Sequence, residues 1–163
     1  MNRRSLTSVV AALAVAASLV SVVSTASAQA PEVAKVPDGS ISIHYFRPAG
    51  DYDGWGLHVW DSYEKVDNGK VVPGSKSKSD KPLEGVTWMA PMKPTGKDGF
   101  GIYWQVKADE FKNTKVNYII HKGDSKDCTR DLYFLATETK QIFHNQGNCE
   151  IFTKVDEAMK ARK

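Results

Sequence analysis

Two side chains that could bind a ligand occupy alternate positions of one predicted strand. Residues 54–61 follow a polar turn at 51–54, and strand alternation divides them into an apolar face and a mixed face. The mixed face carries His58 and Trp60. An indole beside an imidazole can stack on the apolar face of a sugar ring while polar neighbours bond its hydroxyl groups. We therefore predict that both residues contact a carbohydrate, although the pattern alone leaves a packing role for Trp60 equally open.

A second polar cluster lies in residues 120–131, which read Ile-His-Lys-Gly-Asp-Ser-Lys-Asp-Cys-Thr-Arg-Asp. Two interpretations fit this segment: a solvated loop whose charges pair with one another, or a loop that binds a ligand. A disulfide at Cys128 would pin the loop and reduce the entropy that is lost on binding. Lys126 could then donate to sugar oxygens, and Asp131 could accept from sugar hydroxyl groups.

The two cysteines of the chain, Cys128 and Cys149, are predicted to form a disulfide, because an isolated pair in an exported protein usually does. Two free thiols or half of a metal site are the alternatives. Neither cysteine has a histidine or another cysteine at zinc-finger spacing, which favours the disulfide.

Export is predicted from residues 1–30, where a short basic start precedes an apolar run at 9–23 and a group of small residues. A membrane anchor is the alternative, but the run is shorter than the ~20 residues that a span needs. The net charge of +3 falls to +1 when Arg3 and Arg4 leave with the signal peptide. No basic block is left, so charge favours neither nucleic acid nor a membrane surface as partner. We expect a secreted or periplasmic protein.

The sequence lacks the motifs that are typical of catalytic sites and metal sites. The chain has no glycine-rich phosphate loop, nucleophile elbow or His-Glu-x-x-His motif. No pair of acidic residues is singled out for the two-carboxylate chemistry of glycoside hydrolysis. The histidines lack the spacing of metal ligands; they are His44, His58, His121 and His144. We therefore predict no enzyme activity, no metal site and no cofactor.

Short β-type runs separated by turn residues make up most of the chain after residue 39. They lie at 40–46, 54–61, 99–106, 115–122, 132–135, 141–144 and 150–153. This pattern favours an all-β fold, an antiparallel immunoglobulin-like β-sandwich, with a short C-terminal helix within 155–163. Trp55 and Trp104 accompany apolar neighbours and are predicted to lie in the core, whereas the role of Trp88 is undecided.

The predicted organisation has four parts. A signal peptide (1–30) and a flexible leader (31–39) precede one β-sandwich module (40–153), and a charged C-terminal tail (154–163) follows it. The mature chain is long enough for one domain with one core and too short for two. We expect a monomer.

Residues 43–60 resemble the opening of the pullulanase-associated starch-binding domain, carbohydrate-binding module family 41. The likeness continues in 94–103, in 120–127 and at Gln146 and Gly147. The resemblance implies a β-sandwich that binds α-1,4-linked glucans such as starch, glycogen and pullulan. It also implies that His58 and Trp60 stack on adjacent glucose rings, while Lys126 and Asp131 bond to their hydroxyl groups.

Two features depart from the family pattern. Family members are usually attached to a large amylolytic enzyme, whereas this sequence ends soon after the module. The pair of cysteines is also not part of the family pattern. Some members add an aromatic residue in the second loop, and this chain has none between His121 and Asp131.

The predicted function is that of a non-catalytic α-glucan-binding protein that acts alone or beside a separate amylolytic enzyme. The alternative is a secreted β-sandwich that binds a partner protein and no sugar.

Overall fold

The computed structural model describes residues 30–61, 66–72 and 82–162 of the chain. The strands in these ranges are β1 (Ser40–Phe46), β2 (Gly56–Asp61), β3 (Val66–Asp67), β4 (Lys70–Val71), β5 (Gly96–Lys97), β6 (Ile102–Lys107), β7 (Lys115–Lys122), β8 (Ser125–Lys126), β9 (Leu132–Leu135) and β10 (Gln141–Asn145). A 3₁₀ turn (Ala108–Glu110) follows β6, and one α-helix, α1 (Val155–Lys160), follows β10. Apart from its last residue, Ala30, the predicted signal peptide lies outside the described residues.

Two four-stranded sheets form the body of the molecule. The first has the strand order β10-β1-β6-β5, and in the second β7 pairs with β2, β8 and β9. Strands β3 and β4 form a separate hairpin. The predicted all-β sandwich with a short C-terminal helix is confirmed. All strand pairings in the described part are antiparallel except that of β1 with β10, which is parallel because the chain crosses between the sheets before β10 is reached.

The core between the sheets is built by the period-two alternation of the sequence. Ile41, Ile43 and Tyr45 of β1 are fully buried, as are Leu57 and Val59 of β2. All five belong to one apolar cluster. Their neighbours in the same strands therefore point away from this core.

The outer face of the first sheet is covered by the end of the chain. Phe100, Phe143, Phe152 and Ala158 form a second buried cluster there. The side-chain amide of Asn145 donates to the Ala158 carbonyl at 2.8 Å, and the guanidinium of Arg162 lies 3.5 Å from the centroid of the Phe46 ring. The C-terminal tail therefore docks on the sandwich.

The segment predicted as a flexible leader contacts the same sheet. The backbone N–H of Ala34 donates to Asp98 at 2.9 Å, and Gln105 donates its amide to the Lys35 carbonyl at 2.9 Å. The carbonyl of Glu32 accepts from Gly99 at 2.9 Å. These contacts link distant parts of the chain and leave no local signal in the sequence.

Within residues 30–61, 66–72 and 82–162, no helix is long and apolar enough to cross a bilayer.

Candidate functional site

The predicted aromatic pair lies on the outward face of β2. The antiparallel register with β7 places His58 opposite Ile119 and Trp60 opposite Asn117. Both side chains are half-buried, whereas Leu57 and Val59, which alternate with them along the strand, face the core. The His58 and Trp60 ring centroids are 5.6 Å apart and the ring planes are tilted by 50°. The two rings are neighbours, but together they form a bent surface rather than a flat one.

The charged pair predicted from the second cluster lies near the same face. Lys126 of β8 pairs with His121 of β7, and His121 pairs with Gly56 of β2, so these residues share one side of the sheet. The Lys126 ammonium lies 3.3 Å from the nearer carboxylate oxygen of Asp131. Their charges also act on the imidazole of His58. The structure thus brings His58 together with Lys126 and Asp131.

Trp88 belongs to this group too, although the sequence left its role undecided. Its ring lies 5.7 Å from that of His58 in an edge-to-face arrangement, and it stacks on His121 at 4.0 Å with 7° between the planes. The indole N–H donates to Asp124 at 2.9 Å, and the Lys126 ammonium lies 5.7 Å from the ring centroid. Trp88 is therefore fixed on one face by His121 and at its edge by Asp124.

Backbone bonds to the edge of β2 position the loop that carries Trp88. The N–H of Leu83 donates to the Val59 carbonyl at 3.1 Å, and Leu57 and Met92 exchange bonds of 3.0 and 2.9 Å. The loop between these anchors therefore folds over the outward face. A sequence signal did exist: Trp88 lies in a segment without the strand alternation that would place it in the core.

We call this group the outer cluster; it consists of His58, Trp60, Trp88, Lys126 and Asp131. Burial is the main cause that lowers the pKa of His58, and the neighbouring Thr87 backbone opposes it in part. The imidazole is therefore neutral at pH 7, which keeps its ring suited to stacking on an uncharged ligand.

The other two tryptophans are packing residues, as predicted. Trp104 is fully buried and donates its indole N–H to the Met92 carbonyl at 2.9 Å. Trp55 packs against the core, and the Arg47 guanidinium lies 4.2 Å from its ring centroid. Neither belongs to the outer cluster.

The predicted disulfide between Cys128 and Cys149 is formed in the structure. It joins the loop after β8 to the segment after β10, which belongs to the other sheet. Arg130 adds a hydrogen bond of 3.1 Å to the Cys149 carbonyl. The loop between Lys126 and Asp131 is thus held covalently against the opposite sheet.

In the part of the chain that the structure describes, no group of three or more histidine, cysteine or acidic side chains is placed so that it could hold a metal ion.

The fold and the outer cluster together define a β-sandwich module with aromatic and charged side chains on the outward face of one sheet. The family model "Bacterial pullanase-associated domain" matches residues 39–153. The chain belongs to this family, and the family predicted from the sequence is confirmed.

Individual relatives are larger than this chain. An α-amylase of Streptomyces lividans is 31% identical over 98 residues, which cover 60% of this chain and 8% of that protein. The structure of Klebsiella pneumoniae pullulanase complexed with maltotriose has a TM-score of 0.59 at 20% identity, covering 80% of this chain and 12% of that one. A structure of family 41 carbohydrate-binding modules from streptococcal virulence factors, described for α-glucan recognition, has a TM-score of 0.55 at 14% identity. The match covers 76% of this chain and 51% of that one. The likeness to these two solved structures establishes the fold.

Proposed function

We propose that this protein is a non-catalytic module that binds α-1,4-linked glucans through the outer cluster. The observation that carries the proposal is the meeting of three aromatic rings with an ammonium and a carboxylate on one sheet face. Rings bind the apolar faces of sugars, and the charged groups bond to hydroxyl groups. The proposal extends to this chain the α-glucan recognition for which the streptococcal modules are described.

The tilt between the rings suits a curved ligand. Successive glucose units of an α-1,4-linked chain turn relative to one another, so their apolar faces are not parallel. His58 and Trp60, tilted by 50°, offer two planes of different direction, and Trp88 adds a third. Each stacked ring contributes on the order of 1 kcal/mol, by analogy with aromatic pairs.

Lys126 and Asp131 would fix the position of the chain along this surface. The pair is solvent-exposed and its 3.3 Å contact is long, so little stability is lost when sugar hydroxyl groups take its place. Each bond to a charged group contributes about 1.5–3 kcal/mol before ordering costs are subtracted. One such site predicts a dissociation constant between roughly micromolar and millimolar.

The proposed location is outside the cytoplasm. The Cys128–Cys149 disulfide supports it, because disulfides persist in oxidising compartments. A glucan-binding module there would hold polysaccharide near a cell surface or near a separate amylolytic enzyme.

Affinity electrophoresis tests the proposal. Native gels containing amylopectin or pullulan are expected to retard the wild-type protein, and Trp60→Ala is expected to restore its mobility. Lys154→Ala is the matched control, because Lys154 forms an exposed pair with Glu157 on the C-terminal helix, away from the outer cluster. Equal mobility of all variants with and without glucan would contradict the proposal and favour the protein-interaction alternative. Release of reducing sugar would contradict the non-catalytic assignment.

A further inference from the structure

A buried carboxylate lies directly beside the exposed Lys126. The Asp127 side chain is only 2% exposed. One of its oxygens accepts from the Tyr45 hydroxyl, and the other accepts from the His144 ring at 2.9 Å and from the Gly147 backbone N–H at 3.0 Å. The two carboxylate oxygens therefore receive three hydrogen bonds.

These bonds connect the two sheets. Asp127 follows β8 of the second sheet, and its backbone N–H donates to the Ile120 carbonyl of β7 at 2.9 Å. Tyr45 lies on β1 and His144 on β10, which are neighbours in the first sheet. One carboxylate thus joins the edge strand that carries Lys126 to two neighbouring strands, β1 and β10, of the opposite sheet.

Arg47 also contacts this group, although its guanidinium forms its closest ion pair with Asp51, with two hydrogen bonds of 2.8 Å. Its guanidinium donates to the Tyr45 hydroxyl at 2.9 Å and lies 4.0 Å from the Asp127 carboxylate. Burial opposes ionisation of Asp127, but bonds from His144, Tyr45 and Gly147 outweigh it and lower its pKa. The carboxylate is therefore charged throughout the neutral range.

Stability alone gives little reason to bury such a group. Removing a carboxylate from water is costly, and a well-packed apolar side chain in its place is often neutral or stabilising. A buried carboxylate with all of its hydrogen bonds formed has one fixed orientation, because each bond holds the carboxylate and its partner residue in place. Here the residue before it is Lys126 and the residue after it is the disulfide-bonded Cys128.

We propose that Asp127 is a positioning residue for glucan binding: its bonds to β1 and β10 hold Lys126 and Asp131 in the places from which they contact the sugar. This inference rests on the proposed function. Asp127 itself does not contact the ligand, and its effect on affinity is exerted through the charged pair.

A double-mutant cycle tests this role. Maltoheptaose binding is measured by NMR titration for the wild type, Asp127→Asn, the double variant Lys126→Ala/Asp131→Ala, and the triple variant. The amide of Asp127→Asn keeps the shape of the carboxylate, but it turns an NH₂ group toward donors that previously met oxygen. We expect Asp127→Asn to weaken binding at least about fivefold in the wild type and less than about twofold when both charged residues are absent.

Tyr45→Phe provides a second variant, so the test stands even if Asp127→Asn does not fold. It keeps the carboxylate and removes two bonds of the Tyr45 hydroxyl, the one it donates to Asp127 and the one it accepts from Arg47. It is expected to weaken binding in the same direction, by a smaller factor, while near-UV circular dichroism stays native. Unchanged affinity in both variants would overturn the inference, as would equal losses with and without the charged pair. If the wild type bound no maltoheptaose, the proposed function would fail instead.

Discussion

The indole of Trp88 lies parallel to the imidazole of His121, with 4.0 Å between the ring centroids and 7° between the planes. His121 is fully buried and its Nδ1 lies 2.8 Å from the Gly123 carbonyl, so the lower ring of the stack is fixed. Trp88 in turn is half-buried. Trp88 therefore has a fixed orientation although it lies in a loop. A ring that is already fixed loses less entropy when a ligand stacks on it.

We predict that Trp88 contributes to glucan binding as much as Trp60 does. Trp88→Ala is expected to weaken maltoheptaose binding about tenfold, because one stacked ring of about 1.4 kcal/mol is lost. Isothermal titration calorimetry measures the change. Trp88→Phe retains an aromatic face and is expected to recover part of the affinity, whereas wild-type affinity of Trp88→Ala would remove this residue from the site.

We predict that the charged pair acts on binding and hardly at all on stability. Lys126→Ala and Asp131→Ala are each expected to weaken glucan binding about tenfold through the loss of one charge-assisted bond. Each is expected to change the free energy of unfolding by less than about 0.5 kcal/mol, because the pair is exposed. Binding assays and urea titrations of the same samples separate the two effects.

Lys154→Ala is the control for this pair, since it breaks an exposed 3.0 Å contact with Glu157 far from the outer cluster. It is expected to leave both affinity and stability unchanged. A loss of stability without a loss of affinity in Lys126→Ala would reverse the assignment.

We predict that stability falls as the pH is lowered through the range in which an unfolded histidine takes up a proton. Burial lowers the pKa of both His44 and His58 below the ordinary 6.5. The unfolded chain therefore binds protons below pH 6.5 that the folded protein does not yet bind, so the free energy of unfolding falls with pH until the folded-state pKa values are passed. Stability above that range is unaffected by these two groups.

His58→Gln removes one of the two groups and is expected to reduce the slope of stability against pH. The comparison uses urea unfolding at a series of pH values between neutral and mildly acidic. Identical slopes for the wild type and His58→Gln would show that the pKa of His58 is not lowered.

The strands and the core could be predicted from sequence because their signal is local. Period-two alternation separates Ile41 and Ile43 from their neighbours and separates Leu57 and Val59 from His58. The same alternation placed His58 and Trp60 together on the outward face.

Features that depend on contacts between distant residues could not be predicted in this way. The loop of Trp88 is held by the bonds between Leu57 and Met92, 35 positions apart, and nothing near Trp88 encodes that pairing. In the same way, His44 faces away from the main core and yet is buried, because Phe100 and Phe143 lie against it. The composition of the charged segment on its own favours a solvated loop, and the motif likeness is what favoured a binding role for Lys126 and Asp131.

The disulfide is predicted to support both stability and affinity. Cys128 and Cys149 are separated by 21 positions, and opening a loop of that size costs about 3 kcal/mol on the chain-entropy model. The double variant Cys128→Ser/Cys149→Ser is expected to lose about that much in urea unfolding. Because Cys128 lies between Lys126 and Asp131, glucan affinity is also expected to fall, in conditions where the protein remains folded. Full affinity with reduced stability would mean that the hydrogen bonds of Asp127 alone hold the binding loop.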